Sequence, residues 1–201
     1  MSDLEAVLRR MIQSLQEREA RFAIVGGLAV SARSEPRFTR DADFCVAVGC
    51  DAEAEALIHA LRGDGYAVVA LVEQESTERL ATARLSDPRT SESGAVVDLL
   101  FASSGIEPEL VEQAEVIELF DGIEAPVATV PGLIALKVLS RDDRTRPQDR
   151  VDALALLAVA APEDVMAARD LLTTIERRGY ARGRNLGALL DALLAESDPA
   201  S

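Results

Sequence analysis

The stretch Arg40-Asp41-Ala42-Asp43-Phe44-Cys45-Val46-Ala47-Val48 places two acids at the mouth of an apolar run. If Phe44 to Val48 is a strand, its period of two puts the Asp41 and Asp43 side chains on one face. Two carboxylates side by side repel each other and oppose folding unless a cation lies between them. A third acid, Asp98, interrupts another apolar run, Val96-Val97-Asp98-Leu99-Leu100. A divalent cation would answer all three charges, so Asp41, Asp43 and Asp98 are the candidate metal ligands. Taken singly, Asp41 is an ordinary turn residue and Asp43 a solvent-facing strand position. Only their occurrence together with Asp98 points to a metal.

Working outward, the elements alternate. Leu4, Val7, Leu8, Met11, Ile12 and Leu15 follow helical spacing and predict an amphipathic helix over 3–20. Phe22 to Val25 reads as a short strand ended by Gly26-Gly27, with a helix over 28–34 beginning at the glycines. Asp51 can cap a helix running to Arg62 and stopped by Gly63 and Gly65. Strands are expected at 66–72, 79–86 and 95–101, with a polar loop over 87–94 and a short helix over 107–114. Asp121-Gly122 between two apolar runs is a strong hairpin signal. From Pro131 onward the pattern is helical, with Pro162 opening a later helix. The expected fold is α+β: a mixed sheet flanked by helices over residues 1–129, then a C-terminal helical region over 130–201 packed on that core, with a frayed tail from Glu196.

Composition narrows the function classes. The chain has 201 residues, 48% of them apolar, enough for a real core. A net charge of −14 argues against a broad basic surface for nucleic acid, though a local basic patch is compatible with it. With no Trp and only Tyr66 and Tyr180 as phenols, stacking platforms for single-stranded bases are scarce. The N-terminus lacks the pattern of a signal peptide, and no apolar stretch approaches membrane-spanning length. Cys45 and Cys50 lack His or Cys companions at zinc spacing and read as buried thiols of a cytoplasmic protein. His59 lies on a predicted helix as an ordinary surface residue.

Gly26-Gly27 joins a strand to a helix start, where free backbone N–H groups let a phosphate approach closely. Arg37, Thr39, Asp41 and Asp43 follow within one short segment. A phosphate-cradling turn, a cation, a hydroxyl and paired acids are the parts that two-metal nucleotide chemistry needs. Lys137, Arg141 and Arg144, spaced i, i+4, i+7, would share one helix face, as would Asp149 and Asp152. Lys137 sits between Leu136 and Val138, and a lysine on a mostly apolar helix usually has a partner. Arg177, Arg178, Arg182 and Arg184 form the densest basic cluster, suited to a helix C-terminus or to an acceptor RNA.

Gly-Gly, then Arg-x-Thr-x-Asp-x-Asp, then Val-Asp-Leu-Leu resembles the DNA polymerase β-type nucleotidyltransferase superfamily, and within it the AbiEii/AbiGii toxin-type branch. Leu133 to Lys137, Arg144 and Asp149-Arg150-Val151-Asp152 resemble that branch's helical elements, so the likeness spans roughly residues 22–157. The resemblance implies that Gly26 and Gly27 contact a triphosphate and that Asp41, Asp43 and Asp98 bind Mg²⁺, with Mn²⁺ as a substitute. Asp98 would also help deprotonate an acceptor hydroxyl. Arg37 and Thr39 would contact the nucleotide. Lys137 would meet triphosphate oxygens, and Asp149 would orient it or lie at the nucleotide edge. The superfamily often has Gly-Ser where this chain has Gly26-Gly27, which shifts phosphate binding to the backbone.

The implied activity is transfer of a nucleoside monophosphate from a nucleoside triphosphate to an acceptor hydroxyl on tRNA, other RNA or protein, with a cognate antitoxin as a partner. Two alternatives stand beside it. One is a non-catalytic nucleotide-binding regulatory or interaction module; the other is a nucleotidyltransferase for small, aminoglycoside-like molecules.

Overall fold

The computed structural model describes residues 3–39, 41–75, 77–87, 89 and 96–197. Its elements are α1 (Asp3–Gln16), β1 (Phe22–Val25), α2 (Gly26–Arg33), β2 (Ala42–Val46), α3 (Asp51–Gly63), β3 (Ala67–Gln74), β4 (Arg79–Ser86) and β5 (Val96–Leu100), followed by α4 (Glu107–Glu112), β6 (Glu115–Phe120), β7 (Ile123–Val127), α5 (Val130–Ser140), α6 (Pro147–Val159), α7 (Pro162–Arg177) and α8 (Leu186–Ser197). Among the described residues the strands form one mixed sheet in the order β3-β4-β5-β2-β1-β7-β6. β1 pairs with β2 antiparallel and with β7 parallel, and β2 pairs with β5 parallel.

The apolar spacing read from the sequence accounts for these elements. Val7, Leu8, Met11, Ile12 and Leu15 of α1 are buried on one stripe. The helix stops at Gln16, earlier than the spacing predicts. The chain there turns through Glu19 at φ +53°, and the Ala20 N–H donates back to the Leu15 carbonyl. β1 is buried on both faces, as a central strand must be. Residues from α1 through α8, including Leu8, Phe44, Leu99, Leu133, Leu156 and Leu172, belong to one continuous buried cluster.

Three local expectations need correction. β2 runs Ala42–Val46 instead of 44–48, so Asp43 lies within the strand and Asp41 directly precedes it. α5 ends at Ser140, which takes Arg141 and Arg144 out of any helical stripe with Lys137. The Arg141 guanidinium instead donates to Asp143, at 2.7 Å from each nitrogen. Cys45 is buried as expected, but Cys50 is exposed just ahead of α3. The polar loop over 87–94 and the tail beyond Ser197 lie largely outside the described residues.

Candidate active site

Strand register assembles the site. Val25 of β1 stands opposite Asp43 of β2, Asp43 opposite Asp98 of β5, and Asp98 opposite Arg84 of β4. Residues directly opposite in a sheet share a face. Two acids and an arginine therefore form one row across three neighbouring strands. They open into a cavity of about 340 Å³ lined also by Gly26, Thr82, Ser103, Ser104, Lys137, Arg146 and Arg182.

The turn above the acids requires glycine. Gly26 takes φ +65°, and a Cβ there would overlap the Asp43 carboxylate. Both the backbone conformation and the space exclude a side chain. The Gly27 N–H donates to Asp43, so the start of α2 lies against this acid. Burial first, and then the Asp98 charge, push the Asp43 carboxyl from 3.8 up to about 6, against the pull of Lys137. Asp41 adds to the push from just outside the strand.

A polar network holds the opposite wall. Lys137 is buried and donates to Asp149 Oδ1 and reaches Asp152 Oδ2, each at 2.8 Å. An ammonium has three donors, so one is left for the cavity that Lys137 lines. Arg146 Nε lies 3.0 Å from the second Asp149 oxygen. Asp152 also receives both arms of the Arg37 fork, at 2.7 and 2.8 Å. Burial by itself would raise the Asp152 carboxyl, but hydrogen bonds from Arg37, Gln148 and Lys137 outweigh it and hold it below the usual range. At the cavity floor, buried Glu107 Oε1 accepts from the backbone N–H and hydroxyl of both Ser103 and Ser104, fixing their turn.

The structure thus brings Asp43, Asp98, Gly26 and Lys137 into one cavity. Asp41 lies beside it without lining it, and Asp149 lies behind Lys137. Gly27 contributes its N–H to Asp43 but is covered by Arg37, whose Nη2 is 2.6 Å from where a Gly27 Cβ would stand. Arg37 and Thr39 line a separate groove of about 740 Å³ between α1, α2 and β6, which contains neither Asp43 nor Asp98. The Thr39 hydroxyl meets the Asp41 carbonyl at 3.4 Å. In this structure the Arg37 guanidinium pairs with Asp152, the acid that also holds Lys137. His59 is exposed on α3, away from this cavity.

Sequence reasoning missed Arg84 and undervalued Asp152. Arg84 gave one signal, a charge within the run Ala81-Thr82-Ala83-Arg84-Leu85. Of the basic cluster, Arg182 reaches the cavity, whereas Arg178 pairs with Glu109 and Arg184 donates to the Leu139 and Arg141 carbonyls.

The donor set can be tested against a divalent cation. Its oxygens are hard carboxylates, the kind Mg²⁺ prefers. The register that sets Asp43 opposite Asp98 brings two carboxylates side by side on one face of the sheet. Among the described residues no three His, Cys, Asp or Glu side chains are already gathered to hold a metal. Asp98 is instead clasped by Arg84. The residues fit such a cation once Arg84 yields Asp98.

A family model described as the nucleotidyl transferase AbiEii toxin of type IV toxin–antitoxin systems matches residues 7–200. Among curated proteins, none matches the sequence. Among solved structures, the chain is similar to an antigenic nucleotidyltransferase-like protein from Paracoccidioides brasiliensis, with 19% identity, 94% of this chain and 93% of that one covered, and a TM-score of 0.52. Looser likenesses are JHP933 from Helicobacter pylori (16% identity, 97% and 89% covered, TM-score 0.48) and the lincosamide antibiotic adenylyltransferase LnuA (11%, 76% and 96%, 0.49). The first of these likenesses agrees with the mixed sheet and helices described above, and the family match covers both the Gly-Gly turn and the two cavity acids. The chain belongs to the AbiEii nucleotidyltransferase toxin family and is a nucleotidyltransferase.

Proposed function

We propose that this protein transfers a nucleoside monophosphate from a nucleoside triphosphate to an acceptor hydroxyl on tRNA, other RNA or protein, with Mg²⁺ or Mn²⁺ as cofactor. The observation that carries it is the in-register pair Asp43 and Asp98, set in a cavity beneath Gly26 and opposite Lys137. Asp43 and Asp98, with Asp41 beside them, would hold the cation. When bound, it would supply positive charge at the reacting phosphate oxygens.

The chain's own residues do the rest. Lys137, fixed by Asp149 and Asp152, turns its remaining N–H toward the triphosphate. The side chain missing at Gly26 leaves room for a phosphate at the start of α2. Arg146 and Arg182 add positive charge at the cavity wall. Asp98 accepts the proton of the incoming hydroxyl. That oxygen bonds to the α-phosphorus as the bond to the bridging oxygen breaks and pyrophosphate leaves with the electron pair. Positioning and electrostatics carry such a transfer, without a covalent enzyme intermediate.

The family's description supports a cognate antitoxin as the physiological partner, and action in the cytoplasm belongs to the same proposal. Among the described residues no helix is long and apolar enough to cross a membrane.

The test offers each of the four α-labelled nucleoside triphosphates with Mg²⁺, against total tRNA and cell protein, beside Asp43→Asn and Asp98→Asn. Label on one acceptor, absent with both variants, identifies base and target. Labelling that survives either substitution sinks the assignment of these two acids.

A further inference from the structure

Among the cavity's cations, Arg84 holds one of the acids that the reaction needs. Its Nε lies 2.8 Å from Asp98 Oδ1 and its Nη2 lies 2.6 Å from Asp98 Oδ2, a two-pronged pair in which each carboxylate oxygen accepts one N–H. Lys137 differs: it rests on Asp149 and Asp152, which lie behind it. Arg146 differs too, since it leans on Asp149.

The exposure of the two partners is unequal. The Asp98 side chain is 12% exposed and the Arg84 side chain 45%. Asp98 is thus held by its strand, while the Arg84 head reaches in from the open side of the cavity. An arginine with that much solvent around it can swing away without stranding its own charge when another anion receives it, provided a cation takes its place on the buried Asp98.

We propose that Arg84 is a resident counter-cation of Asp98, which a divalent cation must displace and which passes to the triphosphate of the incoming nucleotide. The inference rests on the metal-dependent reading given under Proposed function. With Arg84 in place, a cation arriving at Asp98 meets a guanidinium a few ångströms away, and like charges at that distance disfavour its binding. The nucleotide removes this opposition because its phosphates give Arg84 a new partner in the same cavity. Cation and nucleotide therefore bind cooperatively, each raising the affinity for the other by the same factor.

The experiment measures Mn²⁺ affinity by calorimetry, without and with a non-hydrolysable nucleoside triphosphate, for the wild-type protein, Arg84→Met and Arg84→Lys. Arg84→Met keeps much of the aliphatic stem and removes the charge. It is expected to bind Mn²⁺ alone at least tenfold more tightly than wild type, and to show a smaller gain when nucleotide is added. Arg84→Lys, with a charge but no fork, should fall between them and gives a second comparison if Arg84→Met does not fold. Unchanged or weaker Mn²⁺ binding in Arg84→Met, while Asp98→Asn abolishes Mn²⁺ binding, overturns the displacement and leaves the metal site standing. Absence of Mn²⁺ binding in every protein, even with nucleotide, overturns the metal site and this inference with it.

Discussion

Replacing Asp43 by Asn should stabilise the protein at neutral and alkaline pH while removing its activity. The Asp43 carboxyl is raised from 3.8 to about 6, first by burial and then by the Asp98 charge. A raised folded-state value means that folding disfavours the ionised form. The cost is nearly absent below pH 3.8, grows as pH rises, and is complete above about 6. A shift of roughly 2 units corresponds to about 3 kcal/mol. Because Asp43 is half-buried and an amide must accept the Gly27 N–H in its place, about 1–3 kcal/mol is the expected gain for Asp43→Asn at pH 8. For a chain of this size that is a rise in Tm of roughly 2–10 °C. Urea unfolding of both proteins at pH 4 and pH 8 reads it directly. The two curves should nearly coincide at pH 4 and separate at pH 8, with the variant more stable. Mg²⁺ should then stabilise wild type at pH 8 more than the variant. A variant no more stable than wild type at pH 8, or equally displaced at both pH values, would refute the account of Asp43 as a desolvated, repelled charge.

Gly26→Ala combines a left-handed backbone with a Cβ that overlaps Asp43. It should cost at least about 1–2 kcal/mol in thermal unfolding and lower kcat/KM by more than tenfold, whereas Gly122→Ala, with the same φ but open space, should lose stability only. Asp152→Ala strands Arg37 and half of the Lys137 anchorage, so denaturant titration should show a loss of about 3–5 kcal/mol. In steady-state kinetics of any folded fraction, KM for nucleotide should rise. Arg178→Ala removes an exposed pair with Glu109 and should change stability by no more than about 1 kcal/mol and leave transfer unaffected. Equal damage from Arg178→Ala would mean that the basic cluster as a whole binds substrate.

Local pattern made much of the fold legible. The glycine pair at the end of an apolar tetrad marked the β1–α2 turn, and Asp121-Gly122 marked the β6–β7 hairpin, because such signals depend on neighbours a few positions away. The helical C-terminal part was visible in the same way, from apolar spacing and from Pro131 and Pro162. Element ends were less legible. α1 stops at Gln16 through a left-handed residue at Glu19, and α5 stops at Ser140, so neither boundary follows from apolar spacing alone.

By itself, the sequence determined that Asp43 and Asp98 would each stand in an apolar strand and that Lys137 would need a partner, since a charge set in apolar surroundings must be answered. It could not determine the answer. Asp43 meets Asp98 only because β2 and β5 pair in parallel at one register, and Arg84 clasps Asp98 only because β4 pairs with β5 at another. Arg37 finds Asp152 across 115 positions of chain, through the packing of α6 against the α2 turn, and there meets the acid that also holds Lys137. Charges act over a few ångströms of space and without regard to distance along the chain, so the partners of each ionic group were settled by the tertiary fold.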